Sequence, residues 1–387
     1  MTHDTYVRPQ DDQDAISEAF EALMSLAGND NPRRIVALIP AHNEEDGIEK
    51  TVHSLYNQSI KPDLVIVMAD NCTDETIPRA RRAGAYVVST VNNRAKKAGA
   101  LNQGISLTIP WMQPTDYYIF QDADGELGTD WIKCALATYD GWTGERREKP
   151  LGGLSGAIVA RSATNFIERA QAIEYARGTR LMSRKRGKVH VLSGAAAMLP
   201  VSVIQEVAEA RGDRLPGTKG TYYMEDSLTE DFELTLAIRH LGYDCTSTKR
   251  CPVITDLMPD VASLETQRVR WYRGAMESLA LYKVNKLTWR TWGGVAFTLF
   301  SSILFPIALI GLVFSYLTYN SLPSPLFWIF LPIFMLENIV VAARVDKKSL
   351  WTAISFVPLF LYDNAMFIIY WRSLFMAVRR HRRVWIT

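Results

Sequence analysis

Tyr117-Tyr118-Ile119-Phe120-Gln121-Asp122-Ala123-Asp124-Gly125 is the stretch on which the fold turns. Its first four residues are apolar and bounded by turn formers, the pattern of a short buried strand. Two carboxylates spaced i, i+2 and a glycine follow. On an extended backbone, i and i+2 point to the same side. Asp122 and Asp124 are therefore expected to grip one hard cation, with Gly125 letting the backbone pass close to a ligand. Carboxylate and phosphate oxygens together suit Mg2+ or Mn2+. Open α/β sheets place ligands beyond the carboxyl ends of their strands. The stretch thus reads as a metal–diphosphate site. Alone it is more often an ordinary turn, so the flanking sequence must decide.

Upstream, residues 35–40, 64–68 and 86–88 are further apolar runs of the kind that form buried parallel strands. Residues 47–58, a stretch from Thr73 or Asp74 to Arg82, and 97–107 carry helical patterns between them. Strands alternating with helices predict βαβ units and a doubly wound sheet. Glu44, Asp70, Asp122 and Asp124 all fall at strand ends, so one crevice collects four carboxylates. Each alone would be a cap or turn residue.

Downstream, residues 151–160 and 189–199 read as strands flanking a helix at 165–182. Within the second, Leu192-Ser193-Gly194-Ala195-Ala196 is a run of small residues that lets a ligand approach the backbone. Arg177, Arg180, Arg184, Lys185, Arg186 and Lys188 make either a solvated helix face or a surface for anionic lipid or substrate. Residues 211–222, rich in Gly, Pro and charge, read as a mobile loop. Thr229 then stands where it can cap a helix, with Glu230 and Asp231 in the first turn. A carboxylate there is either a capping acid or a general base for an alcohol. From Val261 a helix places Gln267, Arg270 and Trp271 at i, i+3, i+4, on one face. A guanidinium there can neutralise a diphosphate, and an indole can stack on a sugar. Leu264, Met276, Leu279 and Tyr282 make a stripe that either lies along a membrane or packs on a protein core.

The net charge of +2 over 387 residues makes no case for nucleic acid. The four cysteines form no Cys-x-x-Cys, which argues against zinc and disulfides and fits a reducing compartment. The last quarter is apolar: 292–319, 326–343 and 350–370 each have the length of a membrane span, the third interrupted by Pro358 and Asp363-Asn364. Basic clusters at Arg344–Lys348 and Arg379–Arg383 would both lie on the cytoplasmic side. Three full spans cannot satisfy both, so the third stretch is re-entrant, or two pieces, or the rule fails. Residues 1–31 read as a polar arm or surface helix, with no signal peptide and no apolar span ahead of residue 35.

Together these motifs resemble the inverting family 2 glycosyltransferases, of GT-A fold, and within them the membrane-integrated branch that makes cellulose, chitin and hyaluronan. Pro40-Ala41-His42-Asn43-Glu44 is similar to the first nucleotide-binding motif, with His42 where an aromatic residue is commoner. Asp70-Asn71 resembles the second carboxylate, near base and ribose. Lys97-Ala98-Gly99-Ala100-Leu101-Asn102 resembles the stretch whose lysine lies by the diphosphate, and Asp122-Ala123-Asp124 the metal motif. Ser193-Gly194 resembles the acceptor-side strand, Thr229-Glu230-Asp231 the motif whose aspartate is the base, and Gln267-Arg268-Val269-Arg270-Trp271 the Gln-x-x-Arg-Trp motif.

The resemblance implies a UDP-sugar donor held by Pro40, His42, Glu44, Asp70, Asn71, Lys97, Asp122, Gln267 and Arg270. It implies Mg2+ or Mn2+ on Asp124 and Asp122, and an acceptor glycan met by Ser193, Gly194, Glu230 and Trp271. Asp231 is the implied base. The expected layout is a polar arm (1–31), a cytosolic catalytic domain (32–260), an amphipathic interfacial helix (261–290), a multi-pass region in the cell membrane (291–378) and a basic tail (379–387). A chain of this size is small for lining a polymer channel. It implies a homo-oligomer, a second protein taking the product, or transfer of a single sugar to a lipid-linked or other glycan.

Overall fold

The computed structural model describes residues 33–142, 149–184, 189–319, 325–355 and 357–379, with isolated positions between 19 and 25. Most of the expected polar arm, the run 185–188 and the tail beyond Arg379 lie outside the described residues.

The strands are β1 (Ile35–Ala41), β2 (Leu64–Ala69), β3 (Tyr86–Ser89), β4 (Tyr117–Gln121), β5 (Glu126–Leu127), β6 (Leu151–Ala160), β7 (Ala196–Pro200) and β8 (Asp244–Thr255). They form one sheet in the order β3-β2-β1-β4-β7-β6-β8-β5. Helices α1 (Ile48–Tyr56), α2 (Thr76–Arg82), α3 (Lys96–Thr108) and α4 (Trp131–Asp140) alternate with the first strands. The pairs β1–β2, β1–β4 and β2–β3 are parallel, whereas β4–β7, β6–β7 and β5–β8 are antiparallel. The sheet is thus a mixed α/β sheet of the GT-A kind. Every residue of β1, β2 and β4 is buried. That is why their sequences are continuous apolar runs rather than alternating ones.

The winding runs outward from β1 to β3 and then returns, so that β4 lands on the other side of β1. The reversal opens a crevice between the carboxyl ends of β1 and β4. Glu44 follows the first of these ends, and Asp122 and Asp124 follow the second.

The chain divides into two compact units, 1–158 with 185–255, and 159–184 with 256–387. The first holds the sheet, α6 (Val201–Ala210) and α7 (Glu230–His240) in addition to α1–α4; the second takes α5 (Phe166–Arg184). The second unit continues with α8 (Val261–Tyr282), α9 (Trp289–Tyr319), α10 (Pro325–Ala342), α11 (Lys347–Ile354) and α12 (Val357–Val378). Its core brings Ala170 and Ile173 of α5 against Leu264, Val341, Ala353 and Leu359. Arg177 Nη2 donates to Asn338 Oδ1 at 2.6 Å, so part of the basic face of α5 is spent on packing.

The structure corrects several readings. The strand expected at 189–199 is only Ala196–Pro200, and the small residues before it form a turn. Leu264, Met276, Leu279 and Tyr282 are at most 7% exposed, so the stripe on α8 is buried within the protein rather than laid along a membrane. The third apolar stretch is two pieces, α11 and α12, bent by 82°. Pro358 sits in the first turn of α12, where a missing N–H goes unneeded. Asp363 and Asn364 do not interrupt that helix. Among the described residues no single helix is long and apolar enough to cross a membrane; only the bent pair α11–α12 meets that length and composition.

Candidate active site

The strand that carries the acidic motif stops at Gln121, one residue before it. Asp122 to Gly125 is a tight turn, closed by Gly125 N–H donating to Asp122 O at 3.3 Å. The two aspartates therefore do not project side by side from an extended strand, as their spacing suggested. Asp122 Oδ1 lies 2.6 Å from Lys97 Nζ. Asp124 and Asp122 both act on Glu44, whose carboxyl is pushed up to about 7 by burial first, then by Asp124, Asp122 and Asp74. The turn is held from below: Thr51 Oγ1 donates to Ala123 O (2.7 Å) and Gly125 O (2.8 Å).

At the end of β2, Asp70 is buried. Its Oδ1 accepts from Thr90 Oγ1 (2.8 Å) and from Asn71 Nδ2 (2.9 Å). His42 Nδ1 donates to Asp70 O at 2.5 Å, which fixes the tautomer of that ring. Pro40 is inside β1, in register with Met68. Among the residues expected to face the nucleoside, His42, Asp70 and Asn71 are thus joined by hydrogen bonds, while Pro40 is buried in the strand.

A second cluster lies at the amino end of α7. A small cavity there is bordered by Lys97, Ser193, Gly194, Tyr223, Glu230 and Asp231. Lys97 Nζ reaches Glu230 Oε1 at 3.0 Å as well as Asp122. Burial pulls its pKa down, but Asp122, Glu230 and Asp231 outweigh that and hold it well above the ordinary lysine range. Asp231 accepts from two backbone N–H groups, Gly194 on Oδ2 (3.0 Å) and Phe232 on Oδ1 (2.7 Å). Even so its carboxyl is raised to about 6, by burial first and then by Glu230, against the opposing pull of Lys97. A carboxylate so held is oriented and poised to accept a proton near neutral pH. A Cβ at Gly194 would stand 2.7 Å from Lys97 Nζ and 3.3 Å from Asp231 Oδ2, so a side chain there would displace the lysine tip. Thr229 occupies the cap position of α7, but its hydroxyl does not cap, and Oγ1 is buried without a partner.

Gln267, Arg270 and Trp271 belong to the second unit, on α8. There the Trp271 ring, expected to meet a sugar, is covered by the Arg268 guanidinium 4.4 Å from its centroid. Arg268 is buried and donates to Glu174 Oε2 at 2.9 Å. Tyr362 donates to the same oxygen at 2.8 Å. Gln267 Oε1 is buried with no partner.

Arg211 was hidden in the sequence. It is fully buried and paired through both Nη atoms with Glu233 (2.9 and 2.8 Å). It also donates to the carbonyls of Pro216, Thr221 and Tyr222. The segment expected to be a mobile loop is instead wrapped around this side chain. Gly217, at φ +104°, lies where a Cβ would press on Arg211 Cδ at 3.2 Å.

Among the described residues no group of three or more His, Cys, Asp or Glu is arranged to hold a metal ion by itself. One or two carboxylates completed by phosphate oxygens is the usual way Mg2+ is held beside a nucleotide. Asp122 and Asp124 lie on one tight turn, two carboxylates that fit such an ion.

The description "Glycosyl transferase family 2" matches residues 36–208, and "Glycosyl transferase family group 2" matches residues 131–342. The second match covers more than half of the chain, which belongs to the family 2 glycosyltransferases. A relative is the 4,4'-diaponeurosporenoate glycosyltransferase of Staphylococcus aureus (strain USA300), 38% identical over 100 residues, 25% of each chain. The protein of that name from strain MRSA252 is 38% identical over 116 residues, 29% of each. The match therefore spans little more than a quarter of these relatives. Mannosyltransferase PcManGT from Pyrobaculum calidifontis, solved with GDP-Man and Mn2+, is similar over 96% of this chain and 97% of that one. Its TM-score of 0.57 at 16% identity shows a shared fold.

Proposed function

We propose that this protein is an inverting glycosyltransferase that moves a sugar from a nucleotide-diphosphate donor to an acceptor hydroxyl. The observation that carries the reading is the cavity bordered by Lys97 and Asp231, from which Lys97 also reaches Asp122, just past the carboxyl end of β4, at 2.6 Å. Asp231 takes the acceptor proton. The oxygen so freed bonds to the anomeric carbon from the face opposite the diphosphate. The bond from that carbon to the diphosphate oxygen breaks, and configuration inverts. Lys97, already a strongly held cation, turns from Asp122 and Glu230 toward the leaving diphosphate. A divalent ion, Mg2+ or Mn2+, would be held by Asp124 and Asp122 and would supply charge neutralisation of the leaving group. Glu44, Asp70, Asn71 and His42 receive the nucleoside. Arg270 is assigned to the donor by resemblance, and Arg270→Ala is expected to raise donor KM.

The donor is proposed to be a UDP-sugar. GDP-mannose belongs in the test because the mannosyltransferase of similar fold was solved with it. The acceptor is proposed to be a growing β-linked polysaccharide at the cytoplasmic face of the cell membrane. Support for a membrane comes from α9, where Phe297, Ile307, Ile310, Phe314 and Leu317 are each at least 59% exposed. The same surface favours a second reading: transfer of one sugar to a lipid-linked acceptor.

The test is nucleotide diphosphate release by detergent-solubilised protein over a panel of UDP- and GDP-sugars, with and without EDTA. Donor-dependent release that EDTA stops supports the reading; no release from any donor ends it. Product length on a gel from radiolabelled donor separates polymer from single transfer. Recovery of the expressed chain in the soluble fraction would end the membrane proposal.

A further inference from the structure

Tyr223 borders the cavity that holds Lys97 and Asp231, and its place is set from two sides. Asn102, on α3 with Lys97, pairs with its backbone as a strand would. Asn102 Nδ2 donates to Tyr223 O (2.9 Å), and Tyr223 N–H donates to Asn102 Oδ1 (2.8 Å). From the other side Arg211 Nη2 donates to Tyr222 O (2.9 Å) while the same guanidinium grips Glu233. Glu233 is two residues beyond Asp231 on α7. One amide thus ties Tyr223 to the helix of the lysine, and one guanidinium ties its neighbour Tyr222 to the helix of the base. The ring stands edge-on to Phe120, centroids 5.4 Å apart.

This placement has a chemical meaning. In the proposed reaction the sugar in transit lies between the leaving diphosphate near Lys97 and the hydroxyl activated by Asp231. Tyr223 borders the space between them. An aromatic ring suits the apolar face of a sugar, and its rigidity makes it a gauge of shape. We propose that Tyr223 is the wall against which the transferred sugar rests and so helps select the donor, with Asn102 and Arg211 as positioning residues that fix it. The inference rests on the glycosyltransferase reading above and adds a subsite to it.

Tyr223→Leu, Tyr223→Phe and Asn102→Ala in the full chain test it. Leucine keeps apolar bulk against Phe120 but has no flat face. The expected result is a fall of roughly three- to tenfold in the kcat/KM ratio between the best and second-best nucleotide-sugar. Affinity for free UDP and GDP stays unchanged, and Tyr223→Phe keeps the wild-type ratio. Asn102→Ala is expected to move the ratio in the same direction, by less. If Tyr223→Leu does not fold, as judged by loss of Tm, Asn102→Ala and Tyr223→Phe decide. A folded Tyr223→Leu, or failing that Asn102→Ala, with wild-type selectivity would overturn the proposal while leaving the transferase reading intact. A wild-type chain that releases nucleotide from no donor would take both down, and the two failures are told apart by that control.

Discussion

In the α/β unit the large apolar side chains are inside, and Ile39, Ile66 and Tyr118 have no accessible surface. In the helical unit the described side chains Phe297, Ile310 and Leu317 of α9 are 69–76% exposed. The buried charges differ in the same sense. Arg211 and Glu233 are both fully enclosed, whereas Arg268 is enclosed but Glu174 keeps a third of its side chain in contact with solvent. The first unit buries its large apolar side chains and encloses its Arg211–Glu233 ion pair. The second leaves apolar surface of a size that water disfavours, which the proposed membrane contact would cover. The proposed chemistry falls in the first unit, where a base and a cation can be held at fixed distances in a packed frame.

The comparison can be broken most directly at Asp231. Asp231→Asn should lower kcat by about 100- to 10,000-fold while UDP or GDP still binds, the range for loss of a general base. Near-normal turnover would remove the base assignment and with it the claim that chemistry is confined to the first unit.

Next in size is the contrast between the buried ion pairs. Arg211→Ala strands Glu233 in the interior and should cost about 3–5 kcal/mol of stability. Arg268→Ala leaves Glu174 able to reach water and should cost about 1–3 kcal/mol. Urea denaturation measures both. Equal losses would mean that the two units bury charge alike.

The pH dependence sharpens the picture further. With Asp231 held at about 6, kcat/KM should fall on the acid side of that value as the base is protonated. The folded value lies above the ordinary 3.8, so the folded state binds this proton more tightly than the unfolded chain does. The stabilisation this provides is complete below the unfolded value and is lost as pH rises through about 6. Asp231→Asn should therefore be more stable than wild type above that pH, by about a few degrees in Tm. A variant with unchanged or lower Tm at pH 8 would contradict the raised carboxyl.

Smallest is Gly217→Ala, which forces a side chain into a left-handed backbone beside Arg211 and should cost about 1–2 kcal/mol. A neutral substitution would show that the segment wraps Arg211 less tightly than the geometry requires.

Much of the frame was legible in the chain itself. The apolar runs that became β1, β2 and β4 could only be strands covered on both faces, and the alternation with helices implied a parallel core. The order of the short motifs from Pro40 to Trp271 was enough to suggest the family. The detail at the site was less legible. The i, i+2 spacing of Asp122 and Asp124 was read on an extended strand, but the strand stopped at Gln121, so the pair sits in a turn. The stripe on α8 had the same periodicity whether it met lipid or protein; all four residues are buried, Leu264 against side chains from α5, α10 and α12.

What the sequence determined by itself was the local part: which segments extend, which coil, and which residue types collect at strand ends. Periodicity and turn chemistry act over a few residues and can be read there. What only the tertiary structure decided was pairing over distance. Lys97 set between Asp122 and Glu230, Asn102 holding Tyr223, and Arg211 enclosed with Glu233 each join segments far apart in the chain. The attraction and hydrogen bonds of such pairs must offset the cost of removing both partners from water, and no local pattern records which partner each will meet.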